Sequence, residues 1–153
     1  MISKQEAYTM KLEKKKLIVK REYKEVYKCE DGIVKIFEKD HPKADVFNEA
    51  LNTARVEATG LDIPCVKEVS QVDGKWAILI EYKEGTTLEE MMEADPGNLE
   101  KYMEDFVDLQ LEMHSKKAAR LNKLKDKLSA QINGLKELDA TTRYELLTRL
   151  ESM

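Results

Sequence analysis

The chain has 153 residues, 42% of them hydrophobic and 37% charged, with a formal net charge of -4. That suffices for one modest core, or for a small domain with a helical extension. The acidic balance gives no electrostatic footprint for nucleic acid or an anionic membrane surface. The two cysteines, Cys29 and Cys65, make neither a disulfide framework nor a metal-binding spacing, which fits a reducing, cytoplasmic setting.

The first sixteen residues lack a continuous apolar run, so neither a signal peptide nor an anchor is expected, and no later window approaches a membrane span. The basic run Lys14-Lys15-Lys16 lies between Glu13 and Glu22 and reads as a solvated edge. Residues 16–20 form a first short strand. Residues 23–29 form a second, with Tyr23, Glu25, Tyr27 and Cys29 on one face and Lys24, Val26 and Lys28 on the other. Asp31-Gly32 predicts a tight hairpin with a type I′ turn into a third strand, residues 33–37. After Asp40-His41-Pro42 an apolar series (Val46, Phe47, Ala50, Leu51, Ala54, Ala58) recurs at helical spacing, and Gly60 follows as a stop signal. Ile63-Pro64 forces an extended connection into residues 66–69, and Asp73-Gly74 signals a second hairpin. The run Trp76-Ala77-Ile78-Leu79-Ile80 is wholly apolar, as expected of a central strand covered on both faces. The expected fold class is α+β: a five-stranded antiparallel sheet with one packed helix, followed by an all-helical segment.

The composition changes at Glu81. Glu81-Tyr82-Lys83-Glu84-Gly85 reads as a linker or hinge, which divides the chain into residues 1–82 and residues 83–153. Thr86 or Thr87 can cap a short helix, and Glu89-Glu90 in its first turn suit the helix dipole. Asp95-Pro96-Gly97-Asn98 breaks the pattern. A longer helix then carries Leu99, Tyr102, Met103, Phe106, Leu109, Gln110 and Met113 on one stripe. Leu121, Leu124, Leu128, Ile132, Leu135 and Leu138 predict a further helix with a roughly heptad seam, and residues 141–150 a last one capped by Thr141 or Thr142.

Chemistry concentrates on two residues. Lys35 lies among the apolar residues of the third strand, and a cation on a core strand needs an anion. Glu49, in the middle of the following helix, is its natural partner if that helix crosses the sheet. A strand lysine oriented by a helix glutamate is how kinases hold nucleotide phosphates.

The order of these elements resembles the N-terminal lobe of the aminoglycoside phosphotransferase and choline kinase family of small-molecule kinases. The stretch FNEALNTARVEATGLDIPCVKEV looks like that family's glutamate helix and the chain after it. DGKWAILIEYKEGTTLEEMM looks like its fifth strand, hinge and first C-lobe helix, and Leu111-Glu112-Met113-His114-Ser115 like its "LH" segment. The resemblance implies a kinase-like N-lobe over residues 1–82 and a partial C-lobe over 83–153. It implies ATP and Mg²⁺ as cofactors, Lys35 as the phosphate-contacting lysine and Glu49 as its partner. The backbone of Glu81, Tyr82 and Lys83 would meet the adenine.

Two departures qualify what the chain should do. The phosphate-covering loop of the family is glycine-rich, whereas Lys20-Arg21-Glu22-Tyr23-Lys24-Glu25 has no glycine, so Lys20, Arg21 or Lys24 would have to supply charge instead. The family's catalytic histidine-glycine-aspartate loop and metal-binding aspartate have no counterpart here. Asp105-Phe106-Val107 superficially resembles the kinase Asp-Phe-Gly motif, but Phe106 sits on an apolar stripe and reads as helix core. The expectation is the nucleotide-binding, N-terminal part of an ATP-dependent phosphotransferase acting on a small-molecule acceptor, with no catalytic or metal-ligand residues of its own. The alternative is a naturally short, catalytically inactive module that binds nucleotide or a protein partner. A third reading makes Lys35 and Glu49 a structural ion pair only. Exposed apolar seams on the last helices also predict a homodimer through Leu121 to Leu138.

Overall fold

The computed structural model describes residues 9, 10 and 12–153. The opening residues, expected to carry neither leader nor anchor, therefore lie in part outside the described residues. Strands β1 (Lys16–Lys20), β2 (Lys24–Cys29), β3 (Gly32–Phe37), β4 (Val66–Val72) and β5 (Lys75–Ile80) form one open sheet in the order β1-β2-β3-β5-β4. Every neighbouring pair is antiparallel, so the α+β class and the five-stranded sheet stand as the alternation of the sequence suggests.

Helix α1 (Lys43–Glu57) lies between β3 and β4 in sequence and packs on β4 and β5. The two faces of the sheet have separate cores. Cys29, Val34, Ile36, Val72, Ala77 and Leu79 form one, with Met10, Leu12 and Tyr27 packed against it. Phe37, Val46, Ala50 and Ile78 form the other, beneath α1. Strands β3 and β5 contribute to both, which is why β5 is apolar without interruption.

The two hairpins differ. Asp73 and Gly74 both have positive φ, 51° and 76°, between the paired residues Val72 and Lys75, as the Asp-Gly signal demands. At the first hairpin the loop residues are Glu30 and Asp31, since Cys29 pairs with Gly32. Among the described residues the non-glycine residues with positive φ are Lys14 and Asp73, so the type I′ turn expected at Asp31-Gly32 does not form. Gly32 (φ 146°) instead begins β3, where a Cβ would overlap the carbonyl oxygen of Ile80. Its job is close approach of two backbones.

The chain divides into two compact units at Ala118/Ala119, and the division read from the sequence after residue 82 falls inside the first. Besides the sheet and α1, the first unit holds α2 (Leu88–Ala94), a single 3-10 turn (Pro96–Asn98) and α3 (Leu99–Ser115). Thr87 caps α2 with a reciprocal box: its side chain accepts from the Glu90 N–H while Glu90 accepts from the Thr87 N–H. The apolar stripe of α3 is not buried. Leu99, Met103, Phe106, Leu109 and Met113 are all exposed, so Phe106 is on the helix but is not core.

The second unit packs α4 (Leu124–Gly134) on α5 (Ala140–Ser152). The continuous seam expected from Leu121 to Leu138 is shorter than its spacing suggests. Lys123 and Leu135 are extended at the two ends of α4, which leaves only Leu124, Leu128 and Ile132 on the helix. Asp139, not Thr141 or Thr142, caps α5 by accepting from the Thr142 N–H and hydroxyl. Arg143 closes the turn between the helices by donating to the carbonyls of Leu135 and Leu138. Among the described residues no helix is long and apolar enough to cross a membrane.

Candidate functional site

Alternation along β3 sends Val34 and Ile36 to one core and Lys35 and Phe37 toward α1. On α1, Val46 and Ala50 are the buried residues, and Glu49, three residues after Val46, shares their side. The two charges therefore meet under the helix: Lys35 Nζ donates to Glu49 Oε1 at 2.8 Å.

A second lysine joins them. Lys24 opens β2 opposite Phe37, on the same face, and its Nζ lies 3.1 Å from Glu49 Oε2 and 3.2 Å from Oε1. The side chains of Lys24, Lys35 and Glu49 keep 16%, 26% and 30% of their exposure, so the cluster is desolvated yet reachable from solvent. Burial pushes the Glu49 carboxyl up, but the hydrogen bonds from Lys35 and then Lys24 outweigh it and hold the group below its usual value. The carboxylate is ionised and shared by two ammonium groups.

Lys20 takes no part. It pairs with Glu25 at 2.8 Å, and Glu25 also accepts from the Tyr27 hydroxyl at 2.6 Å. These two donors, Lys20 first, lower the Glu25 carboxyl to about 2. Tyr27 packs against the core on the sheet face away from α1, so this pair belongs to the other side. Of the three basic residues the sequence offered for the glycine-free loop, the structure brings only Lys24 to Glu49.

An aromatic stack supports that end of the site and escaped sequence reading. His41 lies between Tyr23 and Phe37, with ring centroids 5.3 and 5.1 Å away, and Lys24 Nζ stands 5.3 Å from both the Tyr23 and the Phe37 ring. A hint was present in the Asp40-His41-Pro42 turn, but its stacking partners come from β3 and the β1–β2 loop.

Toward the other end, Val26 pairs with Lys35 and Ile33 pairs with Ile80, giving a half-buried apolar strip on the same face. It leads to the segment after β5. There the Glu81 N–H donates to the Cys65 carbonyl, and the Glu81 carboxylate accepts from the Cys65 N–H, which lowers its pKa. Lys83 bridges Asp62 at 2.8 Å and Glu81 at 3.4 Å, Asp62 chiefly raising its pKa. Lys28 Nζ sits 3.6 Å above the Tyr82 ring. With the Glu81 N–H already engaged, a ligand reaching this segment would meet the Tyr82 and Lys83 peptides first.

Lys24 and Lys35 thus place two ammonium groups at one end of this face, and the half-buried apolar strip leads away from them toward Glu81. Among the described residues no group of three or more His, Cys, Asp or Glu is placed to hold a metal ion. Compared with protein-family models and with curated proteins, the chain matches none.

Proposed function

We propose that this chain is the nucleotide-binding, N-terminal part of an ATP-dependent phosphotransferase of kinase-like type, acting in the cytoplasm on a small hydroxylated or amino substrate. The observation that carries the reading is the 2.8 Å contact between Lys35 on the third strand and Glu49 on the helix after it. That pairing of a strand lysine with a helix glutamate is the arrangement that orients a lysine onto nucleotide phosphates in kinases. The sheet order with one helix between the third and fourth strands, and the apolar strip leading to Glu81–Lys83, support it. The residues described here supply binding: two ammonium groups for phosphate and a wall for the base.

The alternative, a catalytically inactive module that binds nucleotide or a protein partner, draws on a different observation. Leu124 on α4 is 69% exposed, and the apolar stripe of α3 is exposed along its length. Apolar surface of that extent favours association, including a homodimer.

Calorimetric titration of the full chain with ATP, with and without Mg²⁺, tests the nucleotide reading. Saturable binding that raises the melting temperature and is lost in Lys35→Ala is the expected result. Absence of binding, or binding indifferent to Lys35→Ala, overturns it.

A further inference from the structure

We infer that Lys24 and Lys35 form a two-cation cradle for adjacent phosphates of a polyphosphate chain, with Lys24 standing in for the backbone amides of a glycine-rich loop. The inference rests on the nucleotide reading above and assigns the part of the site that grips the phosphates.

The charge count sets this cluster apart. Lys20 with Glu25 and Lys75 with Glu38 are one-to-one pairs, and Lys83 faces two carboxylates. At Glu49 two ammonium groups share one carboxylate, leaving an excess positive charge in a half-buried place. Low effective dielectric strengthens the attraction of that excess for an anion. Both ammonium groups bond Glu49 Oε1, Lys24 at 3.2 Å and Lys35 at 2.8 Å, so a single anionic group can reach both, and each keeps donors to spare.

Lys24 is also held where it can do this. The Arg21 N–H donates to the Lys24 carbonyl at 2.8 Å, and the Glu38 N–H donates to the Tyr23 carbonyl at 2.9 Å. These bonds fix the start of β2, and the Tyr23 and Phe37 rings flank the Lys24 ammonium. Side chains at every position of residues 20–25 keep loop amides away from a ligand, so a long side chain is the group that reaches it. A phosphate entering between the lysines takes over donors that Glu49 now accepts. Glu49 then acts as a positioning residue that keeps both amines aimed at one spot while the site is empty of ligand.

The test is calorimetry on the full chain with inorganic tripolyphosphate and with ATP, comparing wild type, Lys24→Gln, Lys24→Arg, Lys35→Gln and Lys20→Gln, each with its thermal melt. Loss of about tenfold in affinity for both ligands in Lys24→Gln, with Lys24→Arg retaining most of it and Lys20→Gln unaffected, is expected from loss of one charge-assisted contact. Unchanged affinity in Lys24→Gln alongside loss in Lys35→Gln overturns the cradle and leaves the nucleotide reading standing. Lys24-dependent binding of tripolyphosphate with ATP no tighter supports the cradle and removes the nucleotide reading. Failure of the wild type to bind either ligand overturns both.

Discussion

The sheet with α1 and the helices that follow it are built on opposite terms. The central strands β3 and β5 are covered on both faces, and Val34, Phe37, Val46, Ala77 and Ile78 are almost fully withdrawn from water. None of α2, α3, α4 or α5 carries a residue in the buried class. The first region draws its stability from burial, whereas the second relies on caps, local hydrogen bonds and half-buried contacts. The cluster of Lys24, Lys35 and Glu49 sits in the first.

Paired truncations break the comparison most sharply. Phe37→Ala should cost about 3–5 kcal/mol in urea unfolding, the range for deleting a buried aromatic side chain. Phe106→Ala, on the exposed stripe of α3, should stay within about 0.5 kcal/mol. Equal losses would mean that α3 has a partner covering it in solution.

Gly32→Ala comes next. It asks a side chain to adopt φ 146° against the Ile80 carbonyl, which should cost about 1–3 kcal/mol from the backbone conformation alone. Gly85→Ala, where nothing crowds an added Cβ, is the control and should be near neutral.

Much of this contrast was legible in the sequence. The Asp73-Gly74 hairpin, a threonine cap at residue 86 or 87 and the pairing of Lys35 with Glu49 follow from turn chemistry, helix-end chemistry and the need of a core-strand cation for an anion. The rotation of α1 was not. Its apolar residues offer two overlapping faces, one through Val46 and Ala50 and one through Phe47, Leu51 and Ala54. Spacing alone does not choose between them. Glu49 facing the sheet turns Leu51, two residues or about 200° further round, toward solvent, and Leu51 and Phe47 are indeed exposed while Phe47 retains an edge contact with Trp76. The rotation that buries Val46 and Ala50 is thus the one that also brings Glu49 to Lys24 and Lys35. Lys24 was legible only as one of three basic candidates, because the side of the sheet each lysine takes depends on register. The seam through Leu121 to Leu138 failed for a third reason: a heptad spacing is indifferent to whether the backbone stays helical, and extended Lys123 and Leu135 end α4 inside it.

Thr87→Ala should weaken α2 by about 1 kcal/mol, seen as faster amide hydrogen exchange confined to that helix and leaving the sheet unchanged. Acid sharpens the same division. The Glu49 and Glu25 carboxyls are held below their usual value, so the native chain binds fewer protons than the unfolded one as pH falls through that window. Their contribution is fully present above about pH 4.5 and is lost as pH drops through the depressed folded values, near 2 for Glu25. Glu49→Gln should flatten the acid limb of a stability-versus-pH curve, and an unchanged limb would contradict the ionised cluster. The smallest expected signal concerns association. If the apolar surface of α4 mediates a homodimer, Leu124→Glu should shift sedimentation velocity toward monomer without altering the melting of the sheet.

The most direct measurement is a heteronuclear NMR titration of the full chain with ATP. The nucleotide reading predicts saturable shifts clustered at Lys24, Lys35, Glu49, Val26, Ile33 and the Tyr82–Lys83 peptides. Shifts absent from Lys35 and Glu49, or scattered over surface lysines such as Lys20 and Lys67 without saturation, would contradict it.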